Sequence, residues 1–193
     1  MITQPAWILS GVAISVPWLA AAMMAVYRRD PRVIGFGASL VSVVASALLL
    51  RAAPSGQSLF QALMLLFSCL TLAATLMLPR RDCNSATIGG ILFLLGATLL
   101  AYASGNLLVL LVAWILSTIP FLLKRWFRAR TWRPAAGLVL STIALALAIG
   151  LISASGHMLS IDALKGRSPG GLAAFALLVV AVMFRKGICP AHA

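Results

Sequence analysis

The stretch LFQALMLLFSCLTLAATLML, residues 59–78, contains no charged residue. At about 1.5 Å per residue it forms a helix of about 30 Å, which matches the hydrocarbon core of a lipid bilayer. Similar apolar stretches occupy most of the remaining chain, and each is bounded by charged residues, Pro, Gly or Ser. The predicted membrane spans are residues 7–27, 33–50, 59–78, 86–103, 107–123, 135–153 and 170–190.

The composition excludes a soluble globular protein, a disordered tail and a coiled coil. The chain of 193 residues is 62% hydrophobic and only 9% charged, whereas an ordinary soluble domain carries about 25% charged residues. The apolar stretches lack the alternating pattern of barrel strands, so helices are the only structure that satisfies their backbone in lipid. We therefore predict an all-α, polytopic membrane protein of about seven helices in a single membrane domain, residues 1–193.

The basic residues predict the orientation of these helices. The chain has 15 Lys and Arg, three Asp and no Glu, for a net charge of +12. Because the basic residues lie between apolar stretches, they predict topology and not nucleic-acid binding. Twelve of the 15 fall in the first, third and fifth connections and near the chain end. Since short basic connections stay in the cytoplasm, we predict a multi-pass protein of the cytoplasmic (inner) membrane with its N-terminus outside.

Small residues predict where helices pack closely. Ala38, Ser42 and Ser46 recur every four residues in the second span, and Gly137 and Ser141 do so in the sixth. This spacing places small side chains on one helix face, where a neighbouring backbone can approach. Such residues are common in membrane bundles, so they predict packing and not chemistry.

Residues typical of enzymes are scarce. The chain has no Gly-rich phosphate loop, no HExxH and no CxxC motif, and its three cysteines lack metal-ligand spacing. We therefore predict no catalytic residue, no metal site and no cofactor in this chain. Without a redox or hydrolytic site, it would be at most the translocating subunit of an energy-coupled complex.

The seventh apolar stretch differs from the others because it ends after 15 residues, at Phe184. Arg185 and Lys186 follow, and then Gly187, Pro190 and His192. One interpretation is a short helix whose basic pair reaches the lipid headgroups. The other is a helix that breaks inside the membrane at Gly187 and Pro190 and places a cation at depth.

The second interpretation predicts an ion pathway at the end of the seventh span. Ionisable groups inside a bilayer are costly and tend to mark ion routes. The candidates here are Arg185, Lys186 and His192. A desolvated Lys can relay protons, whereas an Arg keeps its proton.

Two strings resemble a known family. Residues 105–123, GNLLVLLVAWILSTIPFLL, resemble the fifth helix of the proton-translocating antiporter-like membrane subunits, and residues 184–193, FRKGICPAHA, resemble their broken seventh helix. The family includes the large membrane subunits of respiratory complex I (NADH-quinone oxidoreductase), Mrp-type antiporters, and membrane subunits of energy-converting hydrogenases and of an inorganic-carbon uptake system. The resemblance implies a discontinuous seventh helix and an ion pathway, and it extends over the N-terminal half of the family only.

The resemblance also has clear departures. The family usually has Trp-Glu in its fifth helix, and this Glu pairs with a seventh-helix Lys. Here Trp114 and Pro120 lie in the corresponding helix, but Ile115 follows Trp114. The family's Lys precedes the motif Pro by five residues, which is Arg185 in this chain, with Lys186 next.

Three functions follow as expectations. The first is an ion-translocating subunit, for protons or cations, within a larger membrane complex, either degenerate or a split half. The second is the membrane subunit of an inorganic-carbon uptake complex. The third is a structural membrane subunit that conducts nothing. Each implies the lipid bilayer and other subunits as partners.

Overall fold

The computed structural model describes residues 4–26, 30–52, 58–126, 133–154 and 171–186. Over these ranges the chain forms seven α-helices, and a short 3₁₀ helix, Arg80–Asp82, lies between the third and the fourth. The α-helices are α1 (Gln4–Val26), α2 (Pro31–Arg51), α3 (Ser58–Met77), α4 (Ser85–Ala103), α5 (Leu107–Trp126), α6 (Arg133–Ala154) and α7 (Gly171–Lys186). The predicted all-α class is confirmed.

Five of the described helices, α1 to α4 and α6, are long and apolar enough to cross a membrane. The apolar parts of α5 and α7 are shorter, Leu107–Leu122 and Leu172–Arg185. Large apolar side chains such as Val26, Met77 and Leu172 are exposed on the helix surfaces. Such surfaces are stable in lipid and not in water, so the chain is a multi-pass membrane protein.

The chain divides into two compact units, Met1–Ala103 and Ser104–Ala193. In the first unit, α1 packs against α2 and α4, and α3 packs against the same two helices. Its interior is filled by large side chains with almost no exposed surface. The bulkiest of them are Met24, Ile88, Leu92 and Leu99.

The predicted packing role of the small residues in α2 is confirmed. Ala38, Ser42 and Ser46 are all buried, both serines completely. The Ser42 hydroxyl lies 3.3 Å from the carbonyl oxygen of Ala13 in α1. The absence of bulk on this face lets α1 approach α2 closely enough for the contact.

In the second unit, α6 packs against both α5 and α7. Leu107, Leu145, Ile149 and Ile152 belong to its core. Gly137 allows close approach, since a Cβ added there would lie 3.6 Å from the carbonyl oxygen of Phe184 in α7.

Helix α7 runs without interruption from Gly171 to Lys186. The predicted break at Gly187 and Pro190 lies outside the described residues. It therefore stays a prediction, while the helix that leads to it brings Arg185 to its last turn.

Candidate functional site

Arg185, in the last turn of α7, turns toward α5. Its guanidinium carbon lies 4.3 Å from the centre of the Trp114 ring, and its Nη2 donates a hydrogen bond to the Ser117 hydroxyl. The side chain is half-buried. A cation over an indole face is attracted by the negative charge of the ring face, by up to about 2 kcal/mol when desolvated.

Helix geometry explains why α5 presents both partners. Trp114 and Ser117 are three residues apart, so they lie one above the other on the same face. The Ser117 hydroxyl donates its proton to the Trp114 carbonyl oxygen at 2.7 Å. Its oxygen is therefore left as an acceptor, which the Arg185 guanidinium uses.

A third helix fixes the orientation of the indole. Trp114 Nε1 lies 3.3 Å from the Ser141 hydroxyl in α6, to which it donates. Ser141 in turn donates to the carbonyl oxygen of Ala181 in α7 at 2.7 Å. Ala181 lies one helical turn before Arg185, so the contacts connect α5, α6 and α7. We call Trp114, Ser117, Ser141 and Arg185 the Arg185 cluster.

The positive charge in this cluster is incompletely satisfied. Arg185 Nη1 is buried and has no hydrogen-bond partner. The second unit contains one acidic residue, Asp162, which lies outside the described residues. An unpaired buried donor costs about 1–3 kcal/mol, and more when it is charged. The fold therefore carries a cost at Arg185 that its packing does not explain.

The remaining predicted site residues lie elsewhere. Lys186 is the last residue of α7, and its side chain is not described. Pro190, Gly187 and His192 lie outside the described residues. The predictions for these four positions stay predictions.

The family-motif positions of α5 separate in space. Trp114 faces the Arg185 cluster, whereas Ile115, where the resembling family has Glu, is 42% exposed. Successive helix residues are about 100° apart, so the two side chains leave the helix on different sides. Pro120 is half-buried within α5. Ser117, and not position 115, provides the polar contact to α7.

The sequence analysis did not single out Ser117, and it assigned Ser141 to packing alone. A usable signal existed for the first, because Ser117 follows Trp114 at the spacing that places two side chains on one face. No comparable signal connects Ser141 to the indole, since that contact depends on how α6 is rotated.

The arrangement holds a permanent positive charge among three apolar helices. An Arg cannot exchange protons at ordinary pH, so Arg185 can attract or repel ions but cannot relay a proton. In the part of the chain that the structure describes, no group of three His, Cys, Asp or Glu side chains could hold a metal ion. Comparison of the chain with protein-family models, curated proteins and solved structures found no match.

Proposed function

We propose that the chain is an ion-translocating, antiporter-like subunit of a larger complex in the cytoplasmic membrane, with its N-terminus outside. The observation that carries the proposal is Arg185, a cation held among apolar helices by Trp114 and Ser117. Ionisable groups in spanning helices that face the protein interior mark ion routes. The resemblance of residues 105–123 and 184–193 to antiporter-like subunits supports the same function.

The two adjacent basic residues would have different roles. Arg185 keeps its proton and provides a fixed positive charge beside the route. Lys186 has an amine that can be neutral when desolvated, so we assign proton exchange to it. The buried, unpartnered Nη1 of Arg185 supports this division, because a cation kept for packing alone would have its donors satisfied.

A second candidate function, a structural subunit that conducts nothing, is favoured by the contacts of the Arg185 cluster. The cation-π contact and the hydrogen bond both join α7 to α5. Arg185 would then only fasten the helices of the second unit.

Proton uptake into inside-out vesicles that carry the assembled complex tests the proposal. We expect Lys186→Met to lower the rate by roughly tenfold or more, since losing the exchanging group raises the barrier by at least about 1.4 kcal/mol. We expect Arg185→Met to lower it as well, and Arg185→Lys to restore part of it, because the charge returns without the planar stacking group.

Arg51→Met is the matched control, because Arg51 is exposed at the end of α2 and belongs to the first unit. The amount of assembled complex is measured in each vesicle preparation. Uptake that falls only in proportion to assembly in the Arg185 variants, with unchanged uptake in Lys186→Met, would establish the structural subunit instead.

A further inference from the structure

A cavity of about 350 Å³ lies at one end of the first unit, away from the Arg185 cluster. Two short segments line it, the beginning of α2 and the connection between α3 and α4. The lining residues are Asp30, Pro31, Arg32, Val33, Arg80 and Cys83.

The cavity lies at the level where candidate membrane spans end. Arg32 belongs to the first turn of the span Pro31–Arg51. Arg80 and Cys83 lie between the end of the span Leu59–Met77 and the start of the span Ser85–Ala103. A position at three span ends is the depth of the lipid headgroups.

Arg32 is held in place by the end of α3. Its Nη2 donates to the carbonyl oxygen of Leu76 at 2.8 Å, which satisfies one of the last carbonyls of that helix. A guanidinium has five N–H donors, so this bond leaves Nη1 and Nε for a ligand. The contact orients the group without using it up.

Arg80 reaches the same cavity from a different segment. It begins the 3₁₀ helix, and the Cys83 amide closes this turn by donating to the Arg80 carbonyl oxygen at 3.3 Å. Among the described residues, the neighbouring Arg81 forms the ion pair with Asp82 at 3.6 Å, and Arg80 forms none. Arg80 therefore brings an uncompensated charge to the cavity.

Two guanidinium groups at one cavity repel each other, and an anion between them would remove that cost. Asp30 also lines the cavity, and its carboxylate weakens the positive potential without cancelling both charges. The N-terminal end of α2 adds a partial positive charge at the same place. The electrostatics of the cavity therefore favour an anion.

We propose that this cavity binds the phosphate of an anionic phospholipid headgroup. Arginine pairs with phosphate through two parallel hydrogen bonds, and basic pockets between membrane helices bind acidic lipid headgroups. The volume lies at the low end of the roughly 300–1,000 Å³ typical of ligand pockets. This inference goes beyond ion translocation and depends on neither Arg185 nor Lys186.

The thiol of Cys83 lines the cavity and provides a reporter for its occupant. The full chain, with Cys69→Ser and Cys189→Ser, is placed in nanodiscs of phosphatidylcholine alone or mixed with phosphatidylglycerol. The rate of Cys83 modification by uncharged N-ethylmaleimide is then measured. We expect phosphatidylglycerol to slow modification several-fold, because the bound headgroup covers the thiol.

Matched variants separate a specific site from the general surface potential. Arg80→Ala and Arg81→Ala remove the same charge from the same connection, but only Arg80 lines the cavity. We expect Arg80→Ala to abolish the slowing and Arg81→Ala to retain it. Asp30→Asn, which removes the opposing carboxylate, is expected to increase the slowing. Because Arg80 is exposed, its replacement leaves the helix interior unchanged.

Three results would overturn the proposal. The first is no slowing with phosphatidylglycerol, and the second is equal loss of slowing in Arg80→Ala and Arg81→Ala, which would assign the effect to surface potential. The third is full slowing by inorganic phosphate in phosphatidylcholine nanodiscs, lost in Arg80→Ala, which would assign the cavity to a soluble anion.

Discussion

Gly96 is the residue at which a single missing methyl group has the largest consequence. It is buried in α4, and the Trp18 indole of α1 lies directly over it. A Cβ at this position would come within 2.4 Å of Trp18 Nε1. The same nitrogen donates to the carbonyl oxygen of Phe93 at 3.2 Å. Only glycine lets the indole lie against the helix and keep this hydrogen bond.

We therefore expect Gly96→Ala to lower the free energy of unfolding by about 1–3 kcal/mol, because the indole must move and overpacking strains the core. Unfolding in detergent mixtures, followed by tryptophan fluorescence, measures the change.

Gly90→Ala in the same helix is the control, since nothing lies within 4 Å of its added Cβ. Its stability is expected to be unchanged or higher by up to about 1 kcal/mol, because Ala favours helix over Gly. Equal stability of the two variants would contradict the steric argument.

At the scale of elements, α2 and α3 are joined by a pair of buried hydroxyls, Ser46 and Ser68, whose oxygens are 3.3 Å apart. Ser68 already donates its proton to the carbonyl oxygen of Met64 at 2.9 Å. Because a hydroxyl has one proton, Ser46 must be the donor between the helices. The contact is therefore directional and joins two helices whose remaining surfaces are apolar.

A double-mutant cycle of Ser46→Ala and Ser68→Ala tests this contact. We expect a coupling energy of about 0.6 kcal/mol, the average for hydrogen bonds between membrane helices. Unfolding in detergent mixtures provides the four stabilities.

Thr71 provides the comparison cycle, because its hydroxyl bonds to the Phe67 carbonyl oxygen of its own helix. The pair Ser46→Ala and Thr71→Ala should be additive. Coupling of the same size in both cycles would show that the hydroxyl pair is not special.

At the scale of the whole molecule, the apolar surface of the helices is larger than their buried surface. In the spanning segment of α3, only 17% of the residues are buried, and in that of α2 the share is 39%. Most side chains of these spans therefore face outward, toward lipid or toward other subunits. Stability in such a molecule depends on a few close contacts between helices, because burial of apolar groups out of lipid contributes little.

The orientation predicted from the basic residues is tested by labelling two cysteines in intact cells with a membrane-impermeant maleimide. Cys83 follows the basic pair Arg80 and Arg81, so it should react only after permeabilisation. A cysteine at Gly105, between α4 and α5, should react in intact cells.

The background carries Cys69→Ser and Cys189→Ser, so each labelled chain has one reporter. Reaction of Cys83 and protection of Gly105→Cys in intact cells would reverse the topology. The proposed inward position of the basic connections would then be wrong.

The number and extent of the helices could be predicted because hydropathy is a local property that adds along the chain. The predicted span 86–103 and helix Ser85–Ala103 differ by one residue. The close packing of α2 could be predicted for a related reason, since Ser42 and Ser46 recur at helical spacing and small residues mark contacts. The predicted Arg185 was named correctly as a charged residue of α7, but its partners were not.

Those partners could not be predicted because they depend on the rotation of each helix about its own axis. A helix that is apolar on all sides gives no sign of which face is interior, and lipid does not drive one face inward as water does. Arg185 and Ser117 are 68 residues apart, and the two arginines of the cavity come from separate connections. Composition accounts for a membrane bundle of these helices, whereas packing alone brings Arg185 onto Trp114 and brings Arg32 beside Arg80.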